Sequence, residues 1–221
     1  VNTAKLQLKP LLNPLLKPLL KPIALAALLC AAAGAQAEIT VYTSPVDFLL
    51  AVSNPGFDTY DDLEVQPYGD TVLRTAGAYD YQAYSTGAIW GAGTGTDHWL
   101  SNNTRYTPIV FSGFTGGVSA FGGNFFGSDV FGDYVADATV LLTAVDGSVL
   151  TYTLAGATSD SFLGFVSTTP LTSVILGTDG GAYWPTANNV VLAVPEPATY
   201  GMLLAGVGLL GAAARRRRTR G

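Results

Sequence analysis

The sequence predicts an all-β protein, an antiparallel β-sandwich of jelly-roll-like layout, and three observations carry that expectation. Between Glu38 and Val194 lie 157 residues, of which 20 are glycine and 23 aromatic, with only six prolines. Runs rich in aromatic residues, Val and Thr alternate there with Gly-containing punctuation, as strands alternate with tight turns. Turn signals recur every roughly 8–12 residues, which gives about eight to ten short strands. A stretch of this size forms one domain with an adequate core. No period of about 20–50 residues repeats, which excludes solenoids and propellers.

The elements follow in order. Ile39 to Tyr42 reads as a first strand. Ser44-Pro45-Val46-Asp47 supplies an N-cap, a proline in the first turn and an early acid, so a short helix is expected over Pro45 to Val52. Asn54-Pro55-Gly56 reads as its stop. Phe57 to Leu63 reads as a strand, and Gly69 to Tyr84 holds one or two more. Gly87 to Asn103, rich in Gly, Thr and Asn, reads as a long loop. Ile109-Val110-Phe111 and Gly117 to Phe126 are strands interrupted by glycines. Ala138 to Val145 and Ser148 to Leu154 form a hairpin, with Asp146-Gly147 supplying the positive φ angles of a tight turn. Phe162 to Ser167, Leu171 to Gly177 and Asn188 to Ala193 complete the set.

Charge separates this middle from the ends. The whole chain has a formal charge of −5, but all four lysines and five of the seven arginines lie outside Glu38–Val194. The middle keeps two arginines, Arg74 and Arg105, against fifteen acidic residues, a formal charge of −13. Such a surface repels nucleic acid and anionic lipid, which need clustered Lys or Arg, and attracts cations. The middle contains no cysteine, so burial or bound ions must stabilise it in place of disulfides.

Residues 1–37 read as a secretory signal peptide with a helical core. Lys5, Lys9, Lys17 and Lys21 precede the apolar run Ile23 to Ala33, and Ala35-Gln36-Ala37 supplies an A-x-A cleavage site at Ala35 and Ala37. Cys30 follows Leu28-Leu29, not the small residue a lipoprotein acylation site carries. Residues 195–221 form a second signal. Tyr200 to Ala214 is 15 residues without a charge, about 22 Å as a helix against a hydrocarbon core of roughly 30 Å. Thinning and snorkelling arginines make up part of the difference. Arg215, Arg216, Arg217, Arg218 and Arg220 would hold that end on the cytoplasmic side, leaving the rest of the chain outside. Pro195 and Pro197 are expected to keep the segment before this helix extended and to separate the tail from the folded domain.

The ordered combination of Val194-Pro195-Glu196-Pro197-Ala198-Thr199, an apolar helix containing Gly208-Leu209-Leu210-Gly211 and a terminal arginine cluster resembles the PEP-CTERM sorting signal of Gram-negative bacteria. That resemblance implies export through the secretion machinery and membrane association through the C-terminal helix. It also implies recognition of Pro195, Glu196 and Pro197 by an exosortase, which removes the tail. The destination it implies is the cell surface or the extracellular matrix, in bacteria that make extracellular polysaccharide and biofilm. The run Phe111 to Phe126, the Asp146-Gly147-Ser148 turn, Phe162 to Ser167 and Asn188-Asn189-Val190-Val191-Leu192 resemble a broad group of PEP-CTERM passenger domains. Those are similar in layout to jelly-roll carbohydrate-binding modules. In them the last strand often begins Asp-Asn or Asp-Asp; here it begins Asn188-Asn189, which weakens a metal or ligand role at that position.

Catalytic signatures are sparse. His98 is the single histidine, which excludes His-rich zinc sites and two-histidine mechanisms. No Gly-x-Ser-x-Gly elbow, P-loop or dinucleotide fingerprint in a βαβ setting occurs. The enzymatic alternative is a polysaccharide hydrolase using a carboxylate pair, or a lyase using His98, Arg105 and Tyr106. Two acidic clusters are candidate Ca²⁺ ligands: Asp58, Asp61 and Asp62 with Glu64, and Asp129 and Asp133 with Asp137. Neither has the spacing of an EF-hand, so a solvated acidic face is the competing reading. Trp90, Trp99 and Trp184, placed among Gly, Asn and Thr in expected loops, are candidate platforms for sugar rings, with the Tyr79, Tyr81 and Tyr84 stripe beside them. Their competing role is core packing. The function expected is that of a non-catalytic exported surface or matrix protein that binds Ca²⁺ or polysaccharide.

Overall fold

The computed structural model describes residues 38–196. The signal segment with Ala35 and Ala37, and the tail from Pro197 through its apolar helix to Arg215, Arg216, Arg217 and Arg218, lie outside the described residues. Among those described, no helix is long and apolar enough to cross a membrane.

The chain runs β1 (Ile39–Tyr42), α1 (Pro45–Leu50), β2 (Val52–Asp58), β3 (Thr71–Ala76), β4 (Tyr79–Tyr84), β5 (Ile89–Thr94), β6 (Asp97–Asn102) and β7 (Ile109–Ser112). It continues through β8 (Ala120–Ser128), β9 (Tyr134–Val135), β10 (Ala138–Val145), β11 (Val149–Ala157), β12 (Phe162–Ser167), β13 (Ser173–Thr178) and β14 (Trp184–Pro195). Two antiparallel sheets form a sandwich. One has the order β1-β12-β8-β14-β6-β5, with β2 also pairing β14 and β9 pairing β8; the other has the order β11-β10-β13-β7-β4-β3. Only β3–β4, β5–β6, β8–β9 and β10–β11 pair with a neighbour in sequence. The remaining pairings join distant segments, the interleaving of a jelly roll.

Period-two patterning places the core. In β10, Ala138, Val140, Leu142 and Ala144 are buried while the residues between them are partly exposed, as expected for a strand with one face inward. The aromatic run between residues 111 and 126 bridges the sheets. Phe111 on β7 lies 5.0 Å, ring to ring, from Phe121 on β8, and Phe121 lies 6.0 Å from Phe125. All three rings are fully buried, and each such ring contributes about 2–3 kcal/mol. A second cluster lies around Phe48, where α1 packs on β12 and β8 with Val52, Ala120, Phe162 and Val191. Gly164 makes room for it: a Cβ there would run into the Phe48 ring.

Several expectations are corrected. Gly87 to Asn103 is not a long loop but the β5–β6 hairpin, paired from Ile89↔Asn102 to Thr94↔Asp97. Ile89, Trp99 and Leu100 are buried, so inward-facing residues outweigh the local turn chemistry. The helix ends at Leu50, and Asn54-Pro55-Gly56 continues as β2. Proline is tolerated there because β2 pairs only with β14, leaving the other side of Pro55 without a ladder. The strand expected to run to Leu63 stops at Asp58, and Tyr60 adopts a positive φ of 62°. Asn188-Asn189 lies within β14, whose register shifts between Asn188 and Val191. Asn189 takes a φ of 49°, and its N–H donates to Asn188 Oδ1 at 2.8 Å. At this bulge β14 passes from pairing β6 to pairing β2.

Candidate functional site

A cleft opens where β5, β6, the start of β14 and the turn after β8 meet. It has a volume of about 110 Å³ and is lined by Trp90, Ser101, Asn102, Asn103, Phe131 and Trp184, among others. Cross-strand pairing sets Trp90 opposite Ser101. The outer edge of β5 is covered by the chain at residues 66–69: Tyr68 N–H donates to Ile89 O at 2.9 Å and Ile89 N–H to Gly69 O at 2.7 Å. Behind the cleft, hydroxyls tie β6, β8 and β14 together. Ser101 Oγ donates to Pro185 O at 3.1 Å, and Ser128 Oγ lies 2.8 Å from Thr186 Oγ1.

The turn between β8 and β9 forms one wall, and Trp99 holds it. The Trp99 ring is 95% buried, packs edge-on against Phe126 at 5.4 Å, and donates from Nε1 to Gly132 O at 3.0 Å. Asp129 Oδ1 closes the turn by accepting from the N–H groups of Phe131 at 2.8 Å and Asp133 at 3.0 Å. Gly132 has a φ of +84°, and a Cβ there would meet that of Ala92 at 2.8 Å, so only glycine fits. This turn lifts Val130 and Phe131 into solvent, 67% and 79% exposed. A rigid loop presenting bare apolar side chains beside a polar cleft is the kind of surface a ligand covers.

Two buried polar atoms on lining residues have no protein partner: Nε1 of Trp90, a donor, and Oδ1 of Asn102, an acceptor. The rest of the Asn102 amide is engaged. Its Nδ2 donates to Thr107 O at 2.8 Å and Ser85 Oγ at 2.9 Å, which holds the side chain in place. Trp184 has a cation over its ring, the Arg105 guanidinium at 5.8 Å, and the same group lies 4.9 Å from the ring centre of Tyr106.

The structure therefore divides the residues singled out in the sequence. Trp90 and Trp184 meet at one cleft with Asp129, whereas Trp99 supports that cleft from behind; all three are on strands, not in loops. Tyr79 and Tyr81 belong to the core and Tyr84 lies outside it. Asp58 and Asp62 both bind Arg74: its guanidinium reaches Asp58 Oδ1 at 2.5 Å and Asp62 Oδ1 at 2.6 Å. Tyr81 Oη donates to Asp58 Oδ2 at 2.8 Å and meets Tyr60 Oη at 2.8 Å. Burial pushes both phenols far above their ordinary range, so they stay neutral donors. Hydrogen bonding from Arg74 holds Asp62 below the usual carboxylate value. Asp61 contributes its backbone carbonyl, 3.3 Å from His98 Nδ1. Asp133 lends its N–H to Asp129. Among the described residues no three acidic, His or Cys side chains converge as a metal site. His98 and the Arg105–Tyr106 pair lie at opposite ends of β6.

Sequence reasoning missed Ser101, Asn102, Asn103 and Phe131 as lining residues. A signal for Phe131 was present: Val130-Phe131 is an apolar pair between Asp129 and Gly132-Asp133, where a turn leaves it nothing to pack against.

At the opposite extreme of β14, Pro195 pairs with Val52 and Glu196 N–H donates to Ala51 O at 3.1 Å. Residues 193–218 match the family model of the PEP-CTERM protein-sorting motif. The chain carries an exosortase sorting signal. It is thus an exported protein, and its PEP-CTERM tail is the substrate of an exosortase at the membrane. The expectation that Pro195 keeps the motif apart from the domain is corrected, since Pro195 and Glu196 join the last rungs of the sandwich. No curated protein matches the chain. Among solved structures, a xylan-binding domain from Paenibacillus barcinonensis is similar at 8% identity, with a TM-score of 0.34 over 66% of this chain and 96% of that one.

Proposed function

We propose that this exported chain is a non-catalytic component of the cell surface or extracellular matrix that binds polysaccharide in the β5–β6 cleft. The observation that carries this reading is the pairing of two tryptophan rings, Trp90 and Trp184, with one unpartnered donor and one unpartnered acceptor, Trp90 Nε1 and Asn102 Oδ1. Sugars offer apolar ring faces for stacking and hydroxyls that both donate and accept. Export by the sorting signal supports this reading, because polysaccharide chains are met outside the cell. The formal charge of −13 on the middle of the chain favours neutral polysaccharide over polyuronate.

Affinity electrophoresis of the domain through gels containing neutral and acidic polysaccharides tests this. Retardation by a neutral polymer is expected, and Trp90→Ala or Trp184→Ala should each weaken it about tenfold, as loss of one stacking contact implies. An unretarded wild-type protein, or undiminished retardation of a folded double variant, would sink the reading. Reducing sugar released from the same polymers would instead favour the enzymatic alternative.

A further inference from the structure

The sorting motif and the folded domain share residues. Val194 pairs with Ser53 and Pro195 with Val52 in the β14–β2 ladder. Glu196 N–H continues it to Ala51 O, at the C-terminus of α1. Ser53 Oγ also reaches Pro195 O at 3.4 Å, and Val194 and Pro195 are partly buried. A protease takes its substrate as an extended strand whose backbone bonds to the enzyme. Backbone already paired within a sheet is available to it only when that sheet opens locally.

We propose that the sandwich sets the upstream limit of exosortase processing: the peptide bonds through Pro195–Glu196 are protected by β2, and the mature protein keeps Glu196. Cleavage then falls downstream, before the apolar run that starts at Tyr200. There the amide C–N bond breaks, the new carboxyl takes the hydroxyl of a water, and the released amine takes its proton. The sorting enzyme thus severs the tail without dismantling the last rungs, and the domain it releases retains all of β14. This rests on removal of the tail by an exosortase, and is independent of what the cleft binds.

The test is the intact mass and C-terminal peptide of the native protein recovered from the producing organism. A C-terminus at residue 196, 197, 198 or 199 is expected. A C-terminus at Pro195 or earlier overturns the proposal while leaving exosortase processing intact. A chain that keeps Arg215 to Arg220 overturns processing itself, and the proposal with it. A lock on the ladder gives a second readout. Ser53→Cys with Val194→Cys places two thiols directly opposite each other in an antiparallel pair, within reach of a disulfide, in a domain with no cysteine of its own. Processing of the oxidised double variant should match that of Val194→Cys alone, which controls for recognition. Loss of processing in the locked form, restored with Ser53 in place, would show that the rungs must open and would overturn the proposal.

Discussion

Asp146 closes the turn between β10 and β11, and its carboxylate does more than a turn requires. Oδ1 accepts from Ser148 N–H at 2.9 Å and Ser148 Oγ at 2.6 Å, and Oδ2 accepts from Ser167 Oγ at the end of β12. The hairpin of one sheet is thereby tied to a strand of the other. Burial raises the carboxyl's pKa, but the hydrogen bonds from Ser148 and Ser167 outweigh it and hold the group below its ordinary value. A depressed pKa means that the folded state favours the ionised form. The resulting stability is complete above the unfolded value, near 3.9, and is lost as pH falls through the lower folded value. Asp146→Asn should therefore cost about 1.5–3 kcal/mol at neutral pH, the worth of hydrogen bonds to a charged group. Urea unfolding of both proteins at pH 7 and again near pH 3 should show the gap narrowing in acid. A gap independent of pH would mean that the ionised form contributes nothing.

Among elements, the β8–β9 turn is the one whose shape the cleft depends on. Two strands and the turn itself specify it: Trp99 of β6 holds the Gly132 carbonyl, Ala92 of β5 leaves no space for a Cβ, and Asp129 within the turn binds the loop amides. Gly132→Ala puts a methyl group into Ala92 at a positive φ. It should destabilise the domain by about 1–3 kcal/mol and weaken polysaccharide retardation, because Val130 and Phe131 move with the turn. A variant with unchanged urea midpoint and unchanged retardation would remove the turn from the binding surface. The β14 bulge is a second specified feature. Asn188 Nδ2 donates to Asp97 Oδ1 at 3.1 Å and Asn189 Nδ2 to Asn124 Oδ1 at 3.3 Å. These bonds hold the point where one strand serves two partners.

For the molecule as a whole, charge is the dominant property. The domain's two arginines are both occupied, Arg74 by two aspartates and Arg105 over aromatic rings, so little offsets the acidic surface. Anionic polymers are repelled over a Debye length, about 10 Å at 0.1 M salt. Retardation by a polyuronate gel should accordingly be weak at low salt and rise as salt is added. Strong low-salt retardation that salt abolishes would reverse the sign of this argument and make Arg105 the contact to examine.

Local pattern alone determined the all-β class, the C-terminal sorting signal and several elements. The Asp146-Gly147 turn and the bounds of β12 follow from residues within reach of one another, and the PEP-CTERM signal is read as linear sequence. Partnership across the fold decided the rest. Gly87 to Asn103 looks like a loop because glycine and threonine predominate there; it is a hairpin because β14 and the chain at residues 66–69 pair with its edges. Trp90, Trp99 and Trp184 look alike in sequence, and only the sheet order shows that two line a cleft while one supports it. The acidic residues at 58–62 look alike in sequence, and only the fold sets Asp58 and Asp62 against Arg74. Pro195 looks like a separator, yet it pairs with Val52, 143 positions earlier. Turn chemistry and sorting signals are short-range and so are written in consecutive residues. Burial, ion pairing and ladder position depend on segments far apart in the chain, so they exist only once the two sheets have closed on each other.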